Sequence, residues 1–275
     1  MWVILLKRLD TLLRHFSNVI VLMSQQVSGA VMLSQMTTIA ASYLFIEENE
    51  TNKKYSDFDL KQLFQLPEHH SLFVHSLIGC NLHCFGCHNY EEVVSKKHED
   101  FFSEEEMIQQ IKQNGNFFDA MIFSGGEFLL EKKASIIRFL ERVRIEFHGL
   151  VMINTNGTFP EKIETLIQLK LVDGFHLDMK LPYHILDIDQ DKDTFQAIMD
   201  HIPTKSLLEN LLTSLDIVIK HNSPYSQIRT VKYPILDHDY FEKIADFVKL
   251  LNKKHHSQVE YKLNEFLDVT YTYRN

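Results

Sequence analysis

From residue 71 onward, short apolar runs alternate with stretches in which apolar residues recur every three or four positions. The runs predict buried strands and the stretches predict amphipathic helices. Residues 72–78 form the first predicted strand. Ser103 and Glu106 then make a capping box ahead of a helix carrying Met107, Ile108 and Ile111. Residues 120–123 predict a second strand that ends at Gly125 and Gly126, and a helix over 131–147 places Ile136, Leu140, Val143 and Phe147 on one face. A third strand at 151–155 stops at Asn156 and Gly157, with Pro160 opening the next helix. The fourth covers 174–180, less regular helical sequence covers 194–212, and further strands are predicted at 215–220 and 227–233. A helix over 239–252 buries Phe241, Ile244, Val248 and Leu251, and 259–263 reads as a final edge strand.

Such alternation implies an α/β fold built on a parallel sheet, and the number of β/α units suits a partial, TIM-like (β/α)6 barrel. Barrels of this kind place their chemistry at the C-terminal ends of the strands. With 275 residues and 45% hydrophobic content the chain is long enough for one large core. Residues 56–275 are expected to form the barrel domain and 1–55 an N-terminal extension.

That extension has no Asp, Glu, Lys or Arg between His15 and Ile46, but serines, threonines, asparagine and glutamines interrupt it before an apolar run of about 18 residues builds up. It reads as an added helix or extension, or as sequence ahead of a start at Met32 or Met36, rather than a membrane span or a cleaved presequence. The net charge of −9, without any Lys/Arg block, speaks against nucleic acid as a binding partner.

All three cysteines, Cys80, Cys84 and Cys87, sit in one loop directly after the first predicted strand. One at least must stay unpaired, and their clustering suits a ligand set in a reducing compartment, with the cytoplasm expected. Three thiolates spaced C-x3-C-x2-C can hold three irons of a [4Fe-4S] cluster, leaving one iron open to a small molecule. A single zinc, with His83 or His88 as fourth ligand, is the alternative, and it would make the protein a non-catalytic zinc-binding module.

The cysteine spacing followed by Gly125-Gly126-Glu127 after the second strand resembles the radical S-adenosylmethionine superfamily. Within it, Gly79 to Leu82, Cys87-His88-Asn89, Thr155-Asn156-Gly157, Leu177 to Lys180 and Arg229-Thr230 resemble the glycyl-radical-enzyme activating proteins, above all the activators of anaerobic ribonucleotide reductase. The resemblance covers residues 71–250. It implies that S-adenosylmethionine chelates the open iron and that the reduced cluster cleaves it to a 5′-deoxyadenosyl radical. It further implies a glycyl-radical enzyme as protein substrate, the large subunit of anaerobic ribonucleotide reductase being preferred, and a flavodoxin- or ferredoxin-type electron donor. A radical enzyme of the deazapurine-forming or peptide-modifying type is the alternative.

Gly125 and Gly126 read either as a tight turn or as backbone left open to the methionine ammonium, with Glu127 adding negative charge. Related proteins commonly carry proline where Phe128 stands, and related activators often carry aspartate where Asn154 stands. Asn154, Thr155 and Asn156 are turn formers or cofactor contacts. On the fourth strand His176, Asp178 and Lys180 share one face, which predicts a polar barrel lumen with Lys180 nearest the mouth. Asp178 and Lys180 form a structural ion pair or, by resemblance, help fix the cofactor. Arg229 is a carboxylate clamp or a member of a lumen ion pair.

Overall fold

Each strand of the sheet hydrogen-bonds the one that follows it in the chain, the order of a singly wound barrel. The computed structural model describes the backbone of Trp2–Val3 together with residues 69, 71–87, 89–90 and 102–266. The strands are β1 (Trp2–Val3), β2 (Ser71–Ser76), β3 (Ala120–Gly125), β4 (Leu150–Thr155), β5 (Gly174–Asp178), β6 (Gln227–Lys232) and β7 (Glu260–Glu265). The six from β2 to β7 are parallel, and β1 adds antiparallel to the free edge of β2. Among the described residues β7 pairs only with β6, so the barrel stays open. The fold is an α/β partial barrel.

Helices cross between the strands: α1 (Glu104–Asn114), α2 (Lys133–Glu146), α3 (Pro160–Gln168), α4 (Lys192–Met199), α5 (Lys205–His221) and α6 (His238–His255). The predicted capping box opens α1, with Ser103 N–H donating to Glu106 Oε2 at 2.8 Å and Glu106 N–H to Ser103 Oγ at 3.3 Å. Among the described residues no helix is long and apolar enough to cross a membrane.

The two sheet faces carry different side chains, as period-two geometry requires. Leu72, Val74, Met121, Phe123, Val151, Ile153, Phe175, Leu177 and Ile228 face the helices and join the main core. Ala120, Ile122 and Met152, with Phe73, Leu150 and Tyr225, form a small second cluster on the lumen face. Above it the lumen turns polar, and that change sets the level at which chemistry begins.

One predicted strand is a helix. Residues 215–220 are the last turns of α5, which Thr204 caps by accepting from Leu207 N–H at 3.2 Å and which ends at Asn222 in the left-handed conformation. The β-branched run Ile217-Val218-Ile219 suggested a strand, but Leu208, Leu211, Leu215, Val218 and Ile219 lie on one buried stripe at helical spacing. Tertiary burial of that stripe outweighs the local β preference. Arg229 therefore sits on the fifth parallel strand, and the predicted edge strand at 259–263 supplies the sixth.

Candidate active site

The chain leaves β2 at Ser76 and enters the cysteine loop through Gly79, at the end of the barrel where the parallel strands terminate. All three cysteines are free thiols, partly buried. The loop is held from three sides. Glu127 N–H donates to Gly79 O at 2.8 Å, Phe85 N–H to Ile198 O at 2.9 Å, and His83 N–H to Met199 O at 3.3 Å. Leu82, 3% exposed, anchors the loop in the core. Asn81 and Asn156 join it to the turn after β4. Asn156 Nδ2 donates to Asn81 Oδ1 at 2.9 Å, Asn81 Nδ2 to Thr158 Oγ1 at 3.0 Å, and Asn156 Nδ2 lies 3.9 Å from Cys80 Sγ.

Burial pushes every one of the three thiols up, Cys80 to about 11. Protonated thiols are the expected state of a ligand set without its metal, because thiolates form as metal binds. Lys180 opposes the shift at Cys84 and Cys87, so its ammonium lies where it favours thiolate. Among the described residues, no three His, Cys, Asp or Glu side chains gather about a point one ion could fill. Three thiols on one loop are soft donors of the kind an iron–sulfur cluster takes, and they fit the cluster predicted from their spacing. His88 lies outside the described residues.

Sterics account for the paired glycines. At Gly125, with φ of +108°, a Cβ would stand 2.6 Å from Ser76 N and 2.7 Å from its O; at Gly126 it would collide with Gly79 O. Their absent side chains let the end of β3 lie against the root of the cysteine loop, and Asn89 Nδ2 donates to Gly125 O at 2.9 Å.

Glu127, 1% exposed, is turned inward. Its Oε2 accepts from Asn156 N–H at 2.7 Å, and its Oε1 from Thr155 Oγ1 at 2.9 Å and Leu129 N–H at 3.1 Å. The carboxylate is the clasp between the ends of β3 and β4, and burial pushes it up to about 7 against the pull of those bonds. Phe128 opens a 3-10 turn, Phe128–Leu130, and packs its ring 5.0 Å from that of Phe123. An aromatic at this position therefore extends the core behind the turn.

Asp178 stands at the mouth between two cations, accepting from Lys180 Nζ at 2.9 Å and Arg229 Nη2 at 3.1 Å. Burial alone would raise its pKa, but Lys180 and Arg229 together hold it below the usual carboxylate value. The ion-pair alternatives for Asp178, Lys180 and Arg229 are therefore realised in a single cluster. Two cations against one carboxylate leave a positive balance. Tyr183 fixes the turn by accepting from Lys180 N–H at 3.1 Å, and Thr230 Oγ1 donates to Met179 O at 2.6 Å. Asn154 lies one layer deeper, bonded to Ser124 Oγ at 3.0 Å and His176 Nδ1 at 3.0 Å.

Several positioning residues escape sequence reasoning. Asn81 meets Asn156 and Thr158 only through folding, so no local signal exists for those contacts, whereas Thr158 N–H donates to Asn156 Oδ1 within a local turn. Ser124 and Gln227 were accessible through period two, since Gln227 and Arg229 share a face of β6 just as His176 and Asp178 share one of β5.

A three-thiol loop clasped to a Gly-Gly-Glu turn at the open end of a partial barrel defines a class. The sequence pattern of the Radical SAM superfamily matches residues 75–248, more than half of the chain, and the chain belongs to that superfamily. Its members use S-adenosylmethionine with an iron–sulfur cluster, and the chain is accordingly an enzyme of this family. A protein of Methanocaldococcus jannaschii, provisionally named a glycyl-radical enzyme activating enzyme, is 34% identical over 174 residues, 63% of this chain and 66% of that one. The chain thus spans just under two thirds of that relative. Among solved structures, histidine-tagged anSMEcpe with bound AdoMet superposes with a TM-score of 0.46 at 17% identity, covering 69% of this chain and 49% of the other. Coproporphyrinogen III oxidase from Escherichia coli, described as a radical SAM enzyme, gives 0.45 at 15% identity, covering 70% and 43%.

Proposed function

We propose that this protein activates a glycyl-radical enzyme. The observation that carries the proposal is the three-thiol loop hydrogen-bonded in place at the barrel mouth, within the residues that match the superfamily, in a chain 34% identical over 174 residues to the M. jannaschii relative. Cys80, Cys84 and Cys87 would each ligate one iron of a [4Fe-4S] cluster, leaving the fourth iron for S-adenosylmethionine. When bound, these groups supply one-electron cleavage of the sulfonium and an organic radical able to take a hydrogen atom from a glycine of the partner.

The protein's own contribution is placement and exclusion of water. Glu127 and Asn156 fix the ends of β3 and β4 against the cysteine loop. Lys180 and Arg229, only partly neutralised by Asp178, suit the carboxylate of S-adenosylmethionine. Gly125, Gly126 and Thr155 shape the same rim, and Asn154 would support it from one layer beneath. The preferred partner is the large subunit of anaerobic ribonucleotide reductase, with a flavodoxin- or ferredoxin-type donor in the cytoplasm. The test is electron paramagnetic resonance of the reconstituted protein, S-adenosylmethionine and reductant mixed with a co-encoded glycyl-radical enzyme. A glycyl radical on the partner is expected; cleavage of S-adenosylmethionine without one would defeat the assignment.

A further inference from the structure

Across the lumen face, one register level of the sheet is polar from edge to edge. His75 pairs with Ser124, Asn154 with His176, His176 with Gln227, and Gln227 with Glu260. The level beneath it is the apolar one of Phe73, Ile122 and Met152. Two residues farther along each strand, about 7 Å toward the mouth, comes the charged level of Asp178, Arg229 and Lys262. The middle level therefore lies directly under the mouth.

Its side chains are largely bonded to one another. Asn154 Nδ2 donates to Ser124 Oγ, which turns Asn154 Oδ1 toward His176 Nδ1. Gln227 Nε2 donates to Glu260 Oε2 at 2.6 Å, and because only the amide nitrogen can donate to a carboxylate, this bond fixes which way the amide lies. Gln227 Oε1 is left on the other side, in a side chain whose residue is only 9% exposed, with no hydrogen-bond partner among the described residues. A buried carbonyl without a donor is costly and rare unless something else fills the role.

The surroundings restrict what that donor is. Burial and the nearby Arg229 hold His176 neutral, and burial holds His75 neutral. Asp178 already engages the Arg229 guanidinium. This level thus offers a buried acceptor beside two neutral imidazoles, with the Glu260 carboxylate at its edge and the cations Arg229 and Lys262 one level above, toward the mouth.

Resting on the activase reading above, we propose that Gln227 is a specificity residue of the substrate site. Its Oε1 accepts a hydrogen bond from a backbone N–H of an uncharged glycine-containing segment that enters the lumen through the mouth. Glu260 acts as the positioning residue that aims the amide.

The test uses the reconstituted full-length protein and end-capped heptapeptides with a central glycine and flanks randomised among uncharged residues. The tightest binder is titrated against wild type and Gln227→Met, together with copies in which one amide at a time is replaced by an ester, which removes the N–H without adding bulk. At one position the ester is expected to weaken binding to wild type about tenfold and to leave binding to Gln227→Met unaltered. Glu260→Gln should give a partial loss at that same position. If the peptide binds Gln227→Met as tightly as wild type, or every ester weakens both proteins equally, the assignment of Gln227 is overturned while the activase reading stands. If no member of the library binds wild type, the assignment of Gln227 is likewise overturned, while the activase reading is decided by the glycyl-radical experiment above.

Discussion

The backbone N–H of Asn156 donates to Glu127 Oε2 at 2.7 Å across the ends of two neighbouring strands. The turn that follows β3 and the turn that follows β4 are thereby one unit, and the cysteine loop rests on it through Gly79 and Asn81. Glu127→Ala would strand three donors in a buried site, at a cost of roughly 2–4 kcal/mol. Burial raises the carboxyl from 4.5 to about 7, so the folded state holds its proton more tightly than the unfolded chain. The associated stability is complete below pH 4.5 and is lost as pH rises to about 7. Denaturant melts across that window should show Glu127→Gln gaining about 3 kcal/mol relative to wild type. Parallel curves would exclude this role for the carboxyl.

Asp178 should behave in the opposite sense. Lys180 and Arg229 hold it below its usual 3.8 despite burial, so its contribution is present above that pH and lost as pH falls through the lower folded value. Asp178→Asn should flatten the acid limb of the stability profile. At neutral pH it should cost about 2 kcal/mol, discounted because 34% of the Asp178 side chain meets solvent. Denaturant melts below pH 3.8 and at neutral pH check both statements.

Gly126→Ala should damage the cysteine loop although position 126 is no ligand. The added methyl would collide with Gly79 O, which must then move with the bond it accepts from Glu127 N–H. A loss of at least about 3 kcal/mol is expected, together with reduced iron content after reconstitution. Normal stability and iron loading would show that the backbone contact is not needed.

Ligands and their supports should separate by magnitude. Alanine at Cys80, Cys84 or Cys87 should lower S-adenosylmethionine cleavage by more than about 100-fold, whereas Asn156→Ala, which loosens the loop near Cys80, should cost about tenfold. Counting iron and measuring 5′-deoxyadenosine for the four variants distinguishes the two groups. Undiminished cleavage in any cysteine variant would refute its place as a ligand.

Much of this arrangement is legible before folding is considered. Apolar runs marked the strands because a parallel sheet covered by helices buries them, and period two placed His176 and Asp178 on one lumen face. Residues 215–220 misled because Ile217, Val218 and Ile219 favour a strand locally, while the stripe that decides the matter begins at Leu208. The Gly-Gly-Glu turn was visible as a motif, but the inward direction of Glu127 was not. Its partners are Leu129, Thr155 and Asn156, and two of those three belong to the next strand unit. The same holds for Asn81 with Asn156, which are 75 positions apart. Contacts between separate β/α units are set by register and loop packing, and no local pattern encodes them.

The central claim is that the radical formed at this site takes a hydrogen atom from a glycine of a partner enzyme. The direct measurement is isotope transfer. The partner is prepared with glycine deuterated at its α carbon and incubated anaerobically with the reconstituted protein, reductant and S-adenosylmethionine, and the 5′-deoxyadenosine is analysed by mass spectrometry. Deuterium in the 5′-deoxyadenosine, appearing together with a glycyl radical on the partner, is the predicted result. Unlabelled 5′-deoxyadenosine with no radical on the partner would contradict it.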